Sequence, residues 1–471
     1  MPNQCPGDYK KSDLNLKQYE AFWADPSATS FAWIGFMFAM LYVSVQLQAF
    51  TANFNPGSSG PFQTNYLAMK DEFREKAVQC LVLARYTMGG PHVLETLITL
   101  VTGEFVLMKD GGSDGWLLIG LIHRIAMRMG YHRDPDHFPR LSLFEGEMRR
   151  RIWAAVMQMD LLFSLEMGLS RNATDAHTDT RQPRNLRDCD FDEDSTELPP
   201  PRPETEWTPV LPLITKARLR STSGLICDIN ADIHPPSDEK IDQVEKLLDE
   251  LHNQAIPPVL RWDTSPHAIT DSPTLVIQRV AIETTYHKSR ILLHRRALIG
   301  FLEGQAAQRD RESVQTCLDS ALKILFYQQM LNEESQPFGR LSQLRWKVVL
   351  IFNQDVLLAT SILCLYLQDV DKFEKPGKTG QPAFSPGAEE IRQRLSVSYV
   401  IWLEISSISP EAAKVAKALR IVLGMTSENP EDQSLNPLGD SYLDLDGAAL
   451  HGFGIPPYDQ CKLKPEPRSS F

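Results

Sequence analysis

Between Gly115 and Arg171 the apolar positions recur at helical spacing in two segments joined by a short loop. In the first, Leu118, Ile122, Ile125 and Met129 fall on one stripe, and Arg124 and Arg128 stand one turn apart elsewhere on the surface. Gly130 suits a C-cap and Pro135 bars continuation, so the first helix ends near there. Ser142 followed by Glu145 has the spacing of a capping box and predicts the start of the second helix. There Ile152, Val156, Met159 and Phe163 repeat the stripe, and Glu147 precedes Arg151 by four residues, the favourable order for an ion pair. Asp160 lies inside the apolar run. A buried carboxylate is costly unless paired, so the arginines of the first helix are its expected partners.

The same periodicity predicts helices on both sides of this pair. Upstream they run over Leu14–Phe22, the apolar stretch Phe31–Val45, Tyr66–Tyr86 and Pro91–Met108, with a turn-rich loop at Asn53–Phe62. Their spacing suggests stacked helical hairpins, although no repeat of fixed period is visible. From Thr174 to Pro212 the pattern stops in a proline-rich acidic segment, expected to wrap across the first group of helices as a connector. Helices are predicted again from Leu213, then over Glu239–His252, Ser272–Phe301, Arg309–Leu331, Gly339–Val370, Glu389–Glu404 and Pro410–Leu423, with a loop at Lys372–Gly387. Trp346 and Phe352–Leu367 are expected to be deeply buried. The resulting division is a flexible segment 1–14, a first helical lobe 15–173, the connector 174–212, a second lobe 213–425 and a disordered acidic tail 426–471. In the tail, Tyr442, Leu443 and Leu445 alternate with Asp444 and Asp446, the composition of a short activation segment that folds on a coactivator or, equally, of an inert soluble tail.

Composition narrows the function. The 471 residues are 42% hydrophobic, enough for a large core, and the formal net charge is −12, opposite in sign to the footprint of a nucleic-acid binder. The seven cysteines are scattered, odd in number and without a C-x-x-C pair, which implies free thiols in a reducing compartment. The N-terminus lacks the layout of a signal peptide. No charge occurs between Asp25 and Lys70, but the strongly apolar run Phe31–Val45 falls short of the roughly 20 residues a bilayer requires. A buried core helix and no membrane partner are therefore expected.

Several short runs invite a chemical reading. The loop His132-Arg133-Asp134-Pro135-Asp136-His137 carries metal-type ligands, yet four so close in a loop cannot wrap a tetrahedral ion unaided. Gly377-Lys378-Thr379 lacks the upstream glycine and the preceding strand of a phosphate loop. Asp190, Asp192, Glu193 and Asp194 are similar to the aspartate-rich motif of helical terpene synthases, but lie beside Leu198-Pro199-Pro200-Pro201 with no second metal motif at Asn353–Ser361. Arg149-Arg150-Arg151 behind Glu145 and Glu147 reads as a partly neutralised helix face with one buried, paired arginine. His123, His287 and His294 are expected to be core histidines. No nucleophile elbow, H-E-x-x-H or dinucleotide fingerprint occurs. No catalytic, cofactor or metal residue is assigned, and a metal-dependent helical enzyme remains only a third reading.

One resemblance covers most of the chain. Trp116–Tyr131, His132-Arg133-Asp134-Pro135, Glu147–Trp153 and Gly168-Leu169-Ser170-Arg171 resemble the fungal-specific transcription factor domain, the helical middle homology region of fungal zinc-cluster regulators. The likeness continues upstream through Phe31–Gly35 and Tyr86–His92. Downstream it runs through Asp179-Thr180, Pro183–Leu186, Pro203–Glu206 and Tyr286–Arg295, so that it spans residues 15–425. It implies an all-α regulatory body in two lobes, a nuclear location, control of RNA polymerase II transcription of a metabolic or secondary-metabolite gene set, protein partners such as a homo- or heterodimer and a coactivator, and a small-molecule effector. In the family, zinc and promoter DNA are held by a six-cysteine cluster N-terminal to this domain. These residues contain no such cluster, so DNA contact is expected only through a segment not present here. The alternative is a co-regulator without a DNA-binding domain that dimerises with a full-length paralogue. Trp116, Arg124, Arg128, Arg151, Trp153 and Asp160 are the candidate structural switches of the body.

Overall fold

A computed structural model of the chain describes residues 18–54, 66–107, 113–262, 271–302, 310–368, 384–385 and 387–425. Every regular element among them is helical, and no strand occurs: the fold is all-α. Residues 1–14, the loops at 55–62 and 372–383, the Gly377-Lys378-Thr379 turn, Cys5, Cys461 and the whole tail 426–471 with Tyr442, Leu443, Asp444, Leu445 and Asp446 lie outside the described residues.

In chain order the helices are α1 (described over 18–24), α2 (Phe31–Ala52), α3 (Tyr66–Leu83), α4 (Val93–Leu107), α5 (Ser113–Arg128), α6 (Leu143–Met167), α7 (Leu211–Ala231), α8 (Asp238–Gln254), α9 (Pro273–Leu302), α10 (Asp310–Glu334), α11 (Arg345–Gln368), α12 (Ala388–Ile405) and α13 (Pro410–Val422). Sequential neighbours pack on one another, as short connections between helices require. Helices α2 to α6 enclose one apolar cluster around Ala39, Tyr42, Leu94, Ile119, Ile122 and Val156. Helices α7 to α13 enclose a larger one around Ile226, Val280, Ile324, Leu363, Tyr366 and Trp402. Phe50 and Phe54 at the end of α2 and Leu165 of α6 pack against that second cluster, so the two groups meet there.

Helices α2 and Ser342–Gln368 are long and apolar enough to cross a membrane. Each nevertheless contributes fully buried side chains to a core: Ala39 and Tyr42 from α2, Ala359, Leu363 and Tyr366 from α11. The helix holding the apolar run Phe31–Val45 is 22 residues long, so the run is not too short to span a bilayer, contrary to expectation; it turns one face into the first core, with α3 and α4 packed along it. Close approach is secured by small residues: a Cβ at Gly103 of α4 would fall inside the Tyr42 ring.

The ends of α5 and α6 follow their local signals. Gly130 has φ 79°, its N–H reaches the Met127 carbonyl at 3.0 Å, and the Tyr131 N–H reaches that of Ala126 at 3.0 Å, a Schellman closure. At α6, the Ser142 Oγ accepts from the Glu145 N–H at 3.1 Å and the Glu145 carboxylate accepts from the Ser142 N–H at 2.8 Å. One boundary differs from the periodicity: α11 begins at Arg345, after a 3₁₀ turn at Ser342–Leu344, instead of at Gly339. The chain reverses there through Phe338 at φ 72°, and Arg340 closes back on Glu334 at 2.9 Å, so no helix can pass through. No disulfide joins the described cysteines.

Replacing Ser142 with alanine removes the reciprocal cap and is expected to lower stability by about 1 kcal/mol, read as a lower urea midpoint at unchanged m-value.

Candidate regulatory site

The stretch between α6 and α7 is irregular apart from 3₁₀ turns at Asp175–His177 and Asp188–Asp190. Such a segment has backbone donors and acceptors that no helix satisfies. Three buried carboxylates of the α5–α6 region, Asp134, Glu147 and Asp160, take up its donors.

Asp160 is 1% exposed. Its Oδ1 accepts from the Asn172 N–H at 3.2 Å and from Asn172 Nδ2 at 2.8 Å, and its Oδ2 accepts from the Ala173 N–H at 2.9 Å. The expected pairing with the α5 arginines is therefore corrected. Arg124 and Arg128 are both exposed, and Arg128 Nη1 instead donates to the Thr87 carbonyl at 2.9 Å. The buried face of α5 carries Ile119, Ile122, Ile125 and Ala126, which turns both guanidinium groups away from α6. Two backbone N–H groups and the Asn172 amide, not cations, satisfy the carboxylate.

Asp134 is held from two sides. Arg150, the buried arginine of the triplet, donates Nε at 3.1 Å and Nη2 at 2.8 Å, and Nη2 also reaches Asp136 at 2.8 Å. From the connector, the Arg181 N–H donates at 2.9 Å, and its guanidinium contacts both Asp134 and Asp136. Burial alone would push the Asp134 carboxyl up, but these donors hold it well below the usual carboxylate range. The metal-type loop is thus a salt-bridge anchor, its acids already engaged by guanidinium groups. Among the described residues no group of three His, Cys, Asp or Glu is arranged to hold a metal ion.

Glu147 is fully buried, and its Oε1 accepts from Arg151 Nε at 3.2 Å and from the Arg184 N–H at 3.1 Å. Burial pushes this carboxyl up against the pull of Arg151. Arg151 spans further, donating to the Leu186 carbonyl at 2.9 Å and to Asp188 at 2.7 Å. Trp153 is buried, its Nε1 donating to Thr178 Oγ1 at 2.9 Å, while that hydroxyl donates to the His132 carbonyl at 2.9 Å. Trp116 is half-buried against the first apolar cluster, and its Nε1 is sealed without an acceptor. Of the six candidate switches, Arg151, Trp153 and Asp160 converge on the connector; Arg124, Arg128 and Trp116 do not.

The connector then ties to α7. Arg171 Nε and Nη2 form a fork on Asp228 at 3.0 and 2.9 Å, and the guanidinium lies where a Cβ at Gly224 would stand. Asp190 is taken up by Arg202, whose guanidinium Nε and Nη2 donate to it at 2.8 and 2.7 Å. The long-range partners Arg181, Asn172 and Arg184 gave no signal in the sequence, because each lies 12 to 47 residues from its acid.

Of the three histidines, His123 is buried and stacks on Trp153 at 5.6 Å between centroids. His294 bonds Ser313 Oγ through Nδ1 at 3.0 Å and approaches Glu245 at 3.2 Å. His287 packs beside Tyr286 and Tyr327 with its Nδ1 sealed and unpartnered, and burial pushes it down to about 3.

These features define a class: an all-α body whose irregular strap is fastened by buried carboxylates, with no assembled catalytic or metal group among the described residues. The fungal-specific transcription factor domain matches residues 92–255. The chain is 42% identical over 429 residues, 90% of its length, to the fusarisetin A cluster transcription factor of Fusarium sp. (strain FN080326), and spans 55% of that protein. It is 42% identical over 422 residues, 88% of its length, to the equisetin cluster transcription factor of Fusarium heterosporum, spanning 59% of it. It is 30% identical over 441 residues, 94% of its length, to transcription factor cghF of Chaetomium globosum, of which it covers 74%. The chain belongs to this family of fungal transcription factors. No solved structure matches it.

Replacing Asp160 with leucine strands the Asn172 and Ala173 N–H groups and is expected to lower stability by about 3 kcal/mol. A double-mutant cycle with Arg124→Ala should show coupling below about 0.5 kcal/mol; a larger value would restore the arginine pairing. For His287 the neutral form is the one the fold accepts. Its stabilising contribution is complete above the unfolded value of about 6.5 and is lost as pH falls toward about 3. In denaturation series between those limits, His287→Phe should flatten the decline of stability with acidity.

Proposed function

We propose that this chain is the helical regulatory body of a nuclear transcription regulator that governs a fungal secondary-metabolite gene cluster. The observation carrying the reading is the 42% identity along nearly the whole chain to two cluster transcription factors. The geometry supports a body that holds other molecules and performs no covalent step: its buried acids serve the connector and its histidines serve the core.

The net charge of −12 opposes a phosphate backbone, so promoter contact belongs to a zinc-holding cysteine cluster outside these residues. The residues here contribute protein contacts, with a second regulator subunit or a coactivator, and respond to a small-molecule effector. Asp134, Glu147 and Asp160 keep the connector closed on α6. Such a fastening has two discrete states, bound and released, and an effector or partner that favours one of them shifts the output.

Deleting the gene in the source fungus and sequencing the transcripts tests this reading. A contiguous set of biosynthetic genes should change together, by about tenfold or more, equivalent to about 1.4 kcal/mol in the controlling equilibrium. Transcript levels unchanged across every such cluster, under conditions where the gene is expressed, would overturn it.

A further inference from the structure

The carboxyl ends of α3 and α5 meet on one surface of the first helical group. The last turn of α3 runs through Val82 and Leu83 and leads into the 3₁₀ turn Tyr86–Met88. Arg128, the last residue of α5, donates Nη1 to the Thr87 carbonyl at 2.9 Å and Nη2 to Met88 Sδ at 3.3 Å, which fixes that turn against α5. Gly89 lies so near Met129 that a Cβ there would strike its side chain. Three apolar side chains stand in solvent here: Val82 and Leu83 are each 60% exposed and Met88 61%. Single exposed apolar residues are ordinary, but three at one junction of helix ends form a patch.

The charge at this junction is unbalanced as well. Arg85 lies in the chain between Leu83 and Met88, and Arg124 precedes Arg128 by one turn of α5. All three arginines are exposed, and among the described residues no carboxylate pairs with any of them. Around the connector, by contrast, Arg150, Arg151, Arg171, Arg181 and Arg202 each hold an acid. In a chain of net charge −12, unpaired guanidinium groups gathered at one place are a local reversal of sign. The carboxyl ends of α3 and α5 favour cations, but each supplies only about half an elementary negative charge, so the surface stays positive. Arg128 is also held in place by its bonds to Thr87 and Met88, and its remaining N–H groups are left for an incoming acceptor.

Such a surface fits an acidic peptide with apolar side chains between its charges, and the chain itself contains one. Residues 426–460 include no lysine or arginine, and Asp440, Asp444 and Asp446 there are interleaved with Tyr442, Leu443 and Leu445. Asp440 lies 15 residues beyond Met425, a reach of up to about 50 Å when extended. That is comparable with the width of a body of this size, and tethering raises the effective concentration of the segment. We propose that Val82, Leu83 and Met88, rimmed by Arg85, Arg124 and Arg128, bind the chain's own segment Asp440–Asp446. Tyr442, Leu443 and Leu445 cover the exposed hydrocarbon, and the aspartates meet the guanidinium groups. The proposal deepens the regulatory reading by naming an intrachain ligand of the body, and it rests on that reading for its biological meaning. A segment seated there is withheld from other proteins until one competes for it.

Hydrogen exchange of the 471-residue chain, read by mass spectrometry at low salt, tests the contact. Amides of Asp440–Asp446 should exchange about tenfold or more slowly than in a synthetic peptide of residues 436–450. Roughly 0.5 M sodium chloride should remove most of that protection, because exposed ion pairs are screened. Arg85→Glu combined with Arg124→Glu should release the segment, and adding Asp444→Arg with Asp446→Arg should restore its protection by reversing both charges. Exchange at the free-peptide rate in the unaltered chain, or undiminished protection in the folded Arg85→Glu/Arg124→Glu variant, would each overturn the proposal. So would protection that vanishes on dilution, which would assign the contact to a second copy. Retention of random-sequence duplex DNA in place of tail protection would give the surface to nucleic acid and likewise overturn it. Should the arginine variant fail to fold, the unaltered chain still decides: an excess of the 436–450 peptide must displace the segment, and failure to do so sinks the idea. Because exchange is measured in vitro, an unprotected segment leaves the transcript experiment standing, and an unchanged transcriptome leaves the exchange result standing.

Discussion

An irregular strap of some forty residues can lie against a helical body only if its backbone polar groups find partners there. In this protein three buried carboxylates on or beside α6 supply the acceptors. Asp134 receives the Arg181 N–H, Glu147 that of Arg184, and Asp160 those of Asn172 and Ala173. Each acid would be a liability alone in the interior; each becomes a specific address for one segment of the strap. The guanidinium groups of Arg150 and Arg151 balance the charge of two of them, and Asp160 depends on backbone dipoles and an amide.

That arrangement explains why the motif-bearing stretch contains so many ionisable residues without performing ionisable chemistry. The acids that look like metal ligands in one dimension, and the arginines near them, are consumed in fastening one element to another. The consequence is mechanical. The strap connects α6, whose C-terminal residues Leu165 and Glu166 reach the second helical group, to α7, which belongs to that group. The fastening thus lies along the segment that joins the two apolar clusters.

The two clusters differ in how they are closed. The first relies on close backbone approach, as where Gly103 admits the Tyr42 ring, and on aromatic and aliphatic packing around Ile119 and Ile122. The second has the larger core and carries the half-buried Lys288–Asp355 pair. Ionic groups at a seam between packed units are more easily rearranged than an apolar core. Exchanging one charged partner for another costs less than opening a void.

Local physics was legible in the chain alone. Periodicity located the helices, because burying one stripe of a helix leaves a repeat of about 3.6 residues in the sequence. The Ser142–Glu145 box and Gly130 marked their ends, because capping involves residues three or four apart. The i,i+4 pair Glu147–Arg151 was readable for the same reason, whereas which arginine of the triplet would be buried was not, since Arg150 meets Asp134 across 16 residues. Tertiary structure decided everything that joins distant segments. It gave Asp160 to Asn172 and Ala173 and not to Arg124, because the apolar stripe of α5 rotates its arginines outward. It placed Arg181 on Asp134 across 47 residues, and it brought Lys288 of α9 to Asp355 of α11. Which of several possible counter-charges a buried group meets depends on how helices are rotated and stacked. That choice is made by the packing of the whole core, and no short window of sequence contains it.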